Sequence, residues 1–361
     1  MFLKKSVSAA IQQKIKEFLQ EYRSEVFPHG VLSLTSSLEI THTKAAVVVE
    51  FSIPFPCDGE LEILSTQLSE LLGVVVIINA NTDVAPVRRH NIKGATNIIA
   101  VSSGKGGVGK STTAVNLAYA LMAEGAQVGI LDADIYGPSI PTLMGLQGQR
   151  PTSADGVLMT PLEANGLHCM SIGLLVDSDD ATIWRGPMAS KAFNQMINET
   201  AWPELDYLIV DMPPGTGDIQ LTLAQKVPVA AALVITTPQD IALIDAKKGI
   251  AMFDKVTVPV LGIIENMSYH LCENCGHQSY LFGKNGGVNV AHDYETPLLG
   301  QVPLNISIRE DADNGLSPIM KSSTSEIALL YRKIARSLAS QLFLQLDARS
   351  PETTEISVKE L

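Results

Sequence analysis

The stretch Ile98-Ile99-Ala100-Val101-Ser102-Ser103-Gly104-Lys105-Gly106-Gly107-Val108-Gly109-Lys110-Ser111-Thr112 decides the fold. A short apolar run, 98–101, leads directly into a loop whose residues 104–111 match GxxxxGK(S/T). Behind it Ala114, Leu117, Ala118, Leu121 and Met122 recur at helical spacing as far as Gly125. Strand, glycine loop and helix thus follow in the order that cradles phosphate. The glycines let backbone N–H groups curl around the oxygens, and the helix N-terminus adds a favourable dipole. Gly104, Lys105, Gly106, Gly107, Val108, Gly109, Lys110, Ser111 and Thr112 are the expected nucleotide-binding residues. Lys110 is expected on the β- and γ-phosphates, and the Ser111 hydroxyl on Mg²⁺.

Lys105 places a second cation near the start of the loop. A solvated surface lysine is the plain reading. The functional one is a charge that steadies transition-state phosphate, as an arginine finger does. The run Gly104-Lys105-Gly106-Gly107-Val108-Gly109-Lys110-Ser111-Thr112 resembles the deviant P-loop class that includes MinD, ParA and the nitrogenase iron protein. That resemblance implies that Lys105 reaches the nucleotide of a second copy, so that ATP is bound and hydrolysed between two chains.

Outward from the loop, short apolar runs at 98–101, 128–131, 207–210, 231–235 and 260–264 alternate with helical stretches. This is the pattern of a mainly parallel sheet flanked by helices. The expected fold class is an α/β P-loop NTPase, closed by a helix over 325–346 and preceded by a small α+β domain. Two of the runs end in acid, as Asp132-Ala133-Asp134 and as Asp211-Met212-Pro213-Pro214-Gly215. Carboxylates at the carboxyl edge of a parallel sheet stand beside its ligand. Asp211 is the expected Mg²⁺ partner beside Ser111, and Gly215 the expected γ-phosphate sensor. Asp134 is expected to orient the attacking water, as its counterpart does in the MinD-like class. Asp132 is either a second such carboxylate or a plain strand-end aspartate. Lys105, Lys110, Asp134 and Asp211 form the candidate catalytic set. By likeness to the related ATPases, Asn266 and the loop Gln301-Val302-Pro303-Leu304, with Pro303, are the candidate adenine contacts. No NKxD guanine motif is present, which favours ATP over GTP.

Residues 1–88 read as the small α+β domain. Ile11, Ile15, Phe18 and Leu19 mark a helix; extended runs lie at 32–38, 45–53 and 74–80, and a second helix at 61–72. Residues 89–96 read as a linker, 97–347 as the ATPase domain and 348–361 as a polar tail. Of 361 residues, 46% are hydrophobic and 18% charged, enough to bury a sizeable core. A net charge of −12 disfavours nucleic acid and anionic membranes as partners. No apolar run reaches the ~18–20 residues of a membrane span. Lys4 and Lys5 are followed by no apolar leader segment. The expected location is cytoplasmic.

Leu271-Cys272-Glu273-Asn274-Cys275-Gly276-His277 holds two of the four cysteines as a CxxC. A redox dithiol normally opens a helix in a thioredoxin-like fold, and no such context is evident. A zinc ribbon needs a second pair of ligands in the same chain; His277 alone leaves the site short. Inert burial fits poorly with the polar neighbours. The dimer implied by Lys105 would bring two pairs together, and four thiolates suit a 4Fe–4S cluster or Zn²⁺.

Several segments together resemble the Mrp/ApbC family of iron–sulfur cluster carrier ATPases. Besides the phosphate loop they are Asp132-Ala133-Asp134-Ile135-Tyr136-Gly137-Pro138-Ser139-Ile140-Pro141, Trp184-Arg185-Gly186-Pro187-Met188, Asp211-Met212-Pro213-Pro214-Gly215-Thr216-Gly217-Asp218 and Glu265-Asn266-Met267-Ser268 with the CxxC after it. The resemblance implies a homodimer that hydrolyses ATP slowly. It implies a cluster bridging the Cys272 and Cys275 pairs, and exchange with scaffold proteins and iron–sulfur apoproteins. Residues 1–88 resemble, more weakly, the assembly-factor domain that precedes the ATPase in bacterial members. In that domain a cysteine in the position of Cys57 is a candidate transient ligand, whereas Cys169 reads as core. The competing readings are a MinD/ParA-type positioning ATPase and an ATPase dimer stapled by zinc. Against the first, the closing helix carries only Arg332, Lys333 and Arg336 as basic residues.

Overall fold

The computed structural model describes residues 5–175 and 186–348. Trp184 and Arg185 of the quoted family segments, and the polar tail from 349, lie outside the described residues. The larger unit is an eight-stranded sheet. Its order is Leu298–Gln301, Val260–Glu265, Ala231–Thr236, Ala95–Ser103, Leu205–Asp211, Val128–Asp132, Leu167–Ser171 and Leu162–Ala164. Every neighbouring pair is parallel except the last. The central strands are buried along their length, as apolar runs covered on both faces require. The five expected strands are all present, with the phosphate-loop strand at the centre.

Three strands of this sheet were not expected. Leu298–Gln301 pairs with Val260–Glu265, so Gln301 ends a strand and the expected loop begins at Val302. Leu162–Ala164 and Leu167–Ser171 form a hairpin on Asn165-Gly166, both at positive φ (51° and 85°). Asn-Gly between extended runs is the standard two-residue hairpin turn. Cys169 lies on this hairpin and is 0% exposed, as expected of a core cysteine.

The smaller unit is a four-stranded sheet, Lys5–Ser6, Ser36–His42, Val47–Ile53 and Val76–Thr82, with helices Ala9–Glu21 and Asp58–Leu72. The extended run expected at 32–38 is displaced. Val31–Ser33 is a 3-10 turn behind Gly30, which has a φ of 93°, and the strand starts at Ser36. Val31 is drawn into the core, where it is fully buried.

This unit is seated on the larger one. The closing helix, Glu326–Ala348, packs Tyr331, Ile334, Ala335 and Leu338 into the core. The far end of the phosphate-loop helix, Lys110–Ala123, is capped by Glu124, which is 0% exposed. Glu124 accepts from Arg332 Nε at 2.6 Å, Arg336 Nη1 at 3.0 Å and the Gly59 N–H at 2.7 Å. Gly59 belongs to the smaller unit, so one carboxylate ties both units together. Phe55 meets Phe343 across the same seam, and one apolar core runs through both. No helix among the described residues is long and apolar enough to cross a membrane.

Candidate functional site

The strand Ala95–Ser103 delivers the glycine loop at the carboxyl edge of the sheet, buried from Asn97 onward. Gly107 and Gly109 have φ of 81° and 82°, a region glycine enters without a steric cost. A Cβ on Gly109 would collide with the Asn266 side chain. The Lys110 Nζ lies 2.6 Å from Asp211 Oδ1, and Ser111 Oγ donates to Asp211 Oδ2 at 2.6 Å. Lys110 and Asp211 are 6% and 0% exposed. The two residues expected to hold phosphate and Mg²⁺ therefore converge on the expected acid, from elements a hundred residues apart. Thr112 follows in the first turn of the helix, half-buried.

Asp134 is half-buried beside this group. Burial lifts its carboxyl above the usual range, Lys110 opposes that shift, and the Asp211 charge adds to it. It lines a pocket of about 500 Å³ with Tyr136, Pro213, Pro214, Gly217 and Gln220. Asp132 is fully buried at the end of its strand. Its carboxylate accepts the Asp134 N–H (3.1 Å), the Ile140 N–H (3.2 Å) and the Ser171 hydroxyl (3.0 Å). Burial and the neighbouring Asp211 charge push it up to about 7. The Gly215 N–H, expected to sense γ-phosphate, is bonded to the Ser103 carbonyl at 2.9 Å. Lys105 is half-buried and makes no ion pair among the described residues.

Asn266 and Pro303 flank the end of the strand Val260–Glu265, both buried. The Asn266 amide is engaged with the loop itself, donating to the Val108 carbonyl at 2.8 Å. Behind it Glu265, 1% exposed, accepts from the Ser268 hydroxyl, the Gln301 amide and the Gly287 N–H.

The CxxC is the tip of a two-stranded hairpin, His270–Leu271 with Gln278–Ser279. The Cys272 N–H bonds the His277 carbonyl (3.0 Å), and the Gly276 N–H returns to the Cys272 carbonyl (2.8 Å). Gly276 has a φ of 68°. Cys272 is half-buried and Cys275 exposed. The N–H groups of Cys275 and Asn274, and then the Cys275 side chain, hold the Cys272 thiol below its usual range. A turn that gives N–H bonds to sulfur favours thiolate, the form that binds metal. Among the described residues no three of His, Cys, Asp and Glu gather into a metal site, so His277 does not complete one. Cys57 is 1% exposed, and burial followed by the Glu124 charge pushes its thiol well above the usual range. As placed, it is no open ligand.

Sequence reading missed three residues of this region. Gln220 donates to Ser102 Oγ beneath the loop, Ser171 holds Asp132, and Glu265 gathers donors from three elements. Glu265 stood in a quoted motif, but nothing local marks a carboxylate as buried.

A family model for the NUBPL iron-transfer P-loop NTPase, of the ParA group, matches residues 94–339. The iron–sulfur cluster carrier protein of Escherichia coli K12 is 52% identical over 345 residues, covering 93% of this chain and 94% of that protein. An Arabidopsis thaliana mitochondrial iron–sulfur protein required for NADH dehydrogenase is 44% identical over 274 residues, 76% of this chain and 85% of that one. Among solved structures, a nucleotide-binding protein from Archaeoglobus fulgidus in complex with ADP is 36% identical, with a TM-score of 0.56, over 62% of this chain and 88% of that one. MinD of Pyrococcus horikoshii with Mg-ADP aligns at a TM-score of 0.50 and 21% identity, over 66% of this chain and 94% of that one, a likeness of fold alone.

Proposed function

This chain belongs to the NUBPL-type iron-transfer P-loop NTPases, and on that premise we propose that it is an ATP-hydrolysing carrier of iron–sulfur clusters. Its cargo, a 4Fe–4S cluster, is held between the Cys272 and Cys275 pairs of two copies and passed to apoproteins. The observation that carries this reading is the hairpin tip. It offers two accessible sulfurs, one biased toward thiolate, and no third donor beside them among the described residues. Two such tips make a four-thiolate site; one does not.

Lys110 meets the β- and γ-phosphates and offsets their charge. Ser111 and Asp211 are the residues that would hold Mg²⁺, which adds charge neutralisation between the phosphates. Asp134 orients the attacking water, and a carboxyl above its usual range is suited to taking a proton. Lys105, unpaired within its own chain among the described residues, reaches the phosphates bound by the partner copy. Asn266 and Pro303 stand at the base end.

A positioning ATPase is disfavoured by the closing helix. Arg332 and Arg336 are buried on Glu124, and Lys333 lies 3.2 Å from Glu25. A zinc staple uses the same sulfurs and is separated by experiment. The protein is reconstituted anaerobically with iron and sulfide, and absorbance in the thiolate-to-iron charge-transfer region is recorded with metal analysis. Iron and sulfide bound in equal amounts, four each per dimer, and lost in Cys272→Ala/Cys275→Ala, are expected. Equal iron uptake by the double variant, or stoichiometric zinc that excludes iron, would overturn the reading.

A further inference from the structure

The Asn266 side chain joins the phosphate loop to the segment that leads into the cysteine hairpin. Asn266 Nδ2 donates to the Val108 carbonyl at 2.8 Å, between two glycines at positive φ. A peptide group is planar, so the Val108 carbonyl and the Gly109 N–H point opposite ways from one rigid plate. Asn266 holds this plate by the carbonyl, which turns the Gly109 N–H away from Asn266. N–H groups of such loops are what phosphate oxygens meet. Phosphate on that N–H and the amide of Asn266 therefore act on the same plate from opposite ends.

From Asn266 the chain runs to the hairpin with few soft joints. The Asn266 N–H is fixed to the Thr236 carbonyl at 2.8 Å. Met267 turns the chain at a φ of 54°, uncommon for a side chain of its size. The Ser268 N–H bonds the Val302 carbonyl (2.9 Å), and its hydroxyl donates to Glu265 Oε1 at 2.5 Å. The Tyr269 carbonyl accepts from Leu304 at 2.7 Å, and His270 begins the hairpin. The segment beyond the hairpin returns to the same point, because the Gly287 N–H, in the first turn of the helix Gly286–Asp293, donates to Glu265 Oε2. Both ends of the cysteine-bearing segment are thus tied to the four residues 265–268, and one of those residues grips the phosphate loop.

We infer that Asn266 is a positioning residue that couples the state of the phosphate loop to the Cys272–Cys275 hairpin, by way of Ser268 and Glu265. The inference rests on the nucleotide-binding half of the proposed function and not on the cluster.

The test is amide hydrogen exchange of the hairpin in the full-length, metal-free protein, with and without ADP, beside a calorimetric titration of ADP. In the wild type, ADP is expected to change exchange at the Cys272 and Gly276 amides. Asn266→Asp keeps the shape but replaces the donor with an acceptor, and is expected to lose that change. Ser268→Ala leaves the loop contact intact. It is expected to keep ADP affinity within about twofold while losing at least about half of the hairpin response, since coupling and affinity are separate quantities. A wild-type hairpin indifferent to bound ADP overturns the inference, as does a full response in Ser268→Ala. Should Asn266→Asp bind no ADP, Ser268→Ala decides alone. No ADP binding by the wild type would overturn the nucleotide reading and this inference with it. Because no iron is used, a failed cluster reconstitution leaves this result standing.

Discussion

At the phosphate end, Lys110 and Asp211 are 6% and 0% exposed, and strands from three places in the chain complete the group. At the cysteine hairpin, two strands of two residues each carry one half-buried and one exposed thiol. In the first region Lys110, Ser111 and Asp211 already meet within one chain, and Lys110 and Asp211 are locked into the core. The second is a self-contained turn that stops at two donors. The difference separates two ways of losing function. Damage to Lys110 or Asp211 should disturb fold and turnover together, because these two charges are paired and buried. Damage at the hairpin should remove metal binding and leave the rest of the molecule indifferent.

Four variants sharpen or break that contrast. Lys110→Ala removes the phosphate cation and leaves Asp211 buried without it. Turnover is expected to fall by about 10³-fold, roughly 4 kcal/mol of transition-state stabilisation, in a steady-state ATPase assay. A variant with near wild-type turnover would break the contrast at its strongest point. Glu124→Ala lies at the other end of the same helix and leaves Arg332 and Arg336, in the seam between the units, with only their longer pairings to Glu62 (4.0 Å) and Glu60 (3.6 Å). A loss of about 3 kcal/mol in denaturant unfolding is expected, as for other buried pairs stripped of one partner. Lys105→Ala is expected to lower turnover at least about 10²-fold while ADP affinity, measured by calorimetry, is retained, since the missing charge acts in the transition state. Unchanged turnover would remove the in-trans role. Cys272→Ala/Cys275→Ala is expected to shift unfolding by less than about 0.5 kcal/mol, in keeping with surface positions. Its ATPase rate without iron should stay within about twofold, because no chemistry of hydrolysis passes through sulfur.

The same contrast governs what could be read from the residues alone. The run 98–101 and the glycine loop were legible because burial on both faces forces continuous apolarity, and phosphate forces glycine and lysine at fixed spacing. Asp211 was legible as an acid ending a strand. The CxxC was legible as two sulfurs at chelating spacing, while the turn that presents them is built from hydrogen bonds between Cys272, Gly276 and His277. The hairpin on Asn165-Gly166 carried its signal in two residues and was still passed over, because its short strands show no clear alternation. The contacts that join distant segments left no local mark. Asn266 reaches Val108 across 158 positions, and Arg332 reaches Glu124 across 208. A polar side chain at a strand end or on a helix has the same appearance in sequence whether it meets water or a buried partner. For Asp132, strand position allowed two roles and gave no sign of Ile140 and Ser171, the donors that the fold brings to its carboxylate.

The seating of the N-terminal unit bears on how such a chain could have been assembled or could be trimmed. A module added by fusion is often hung on a tether and can be removed without a scar. Here Gly59, Phe55 and Cys57 contribute to the same interior as Glu124, Arg336 and Phe343. Cutting near residue 90 would strip apolar surface and a buried ion network from a domain whose own motifs are all intact. What looks like a joint in the sequence is, in three dimensions, a continuous interior, so that neither part ends where its motifs do.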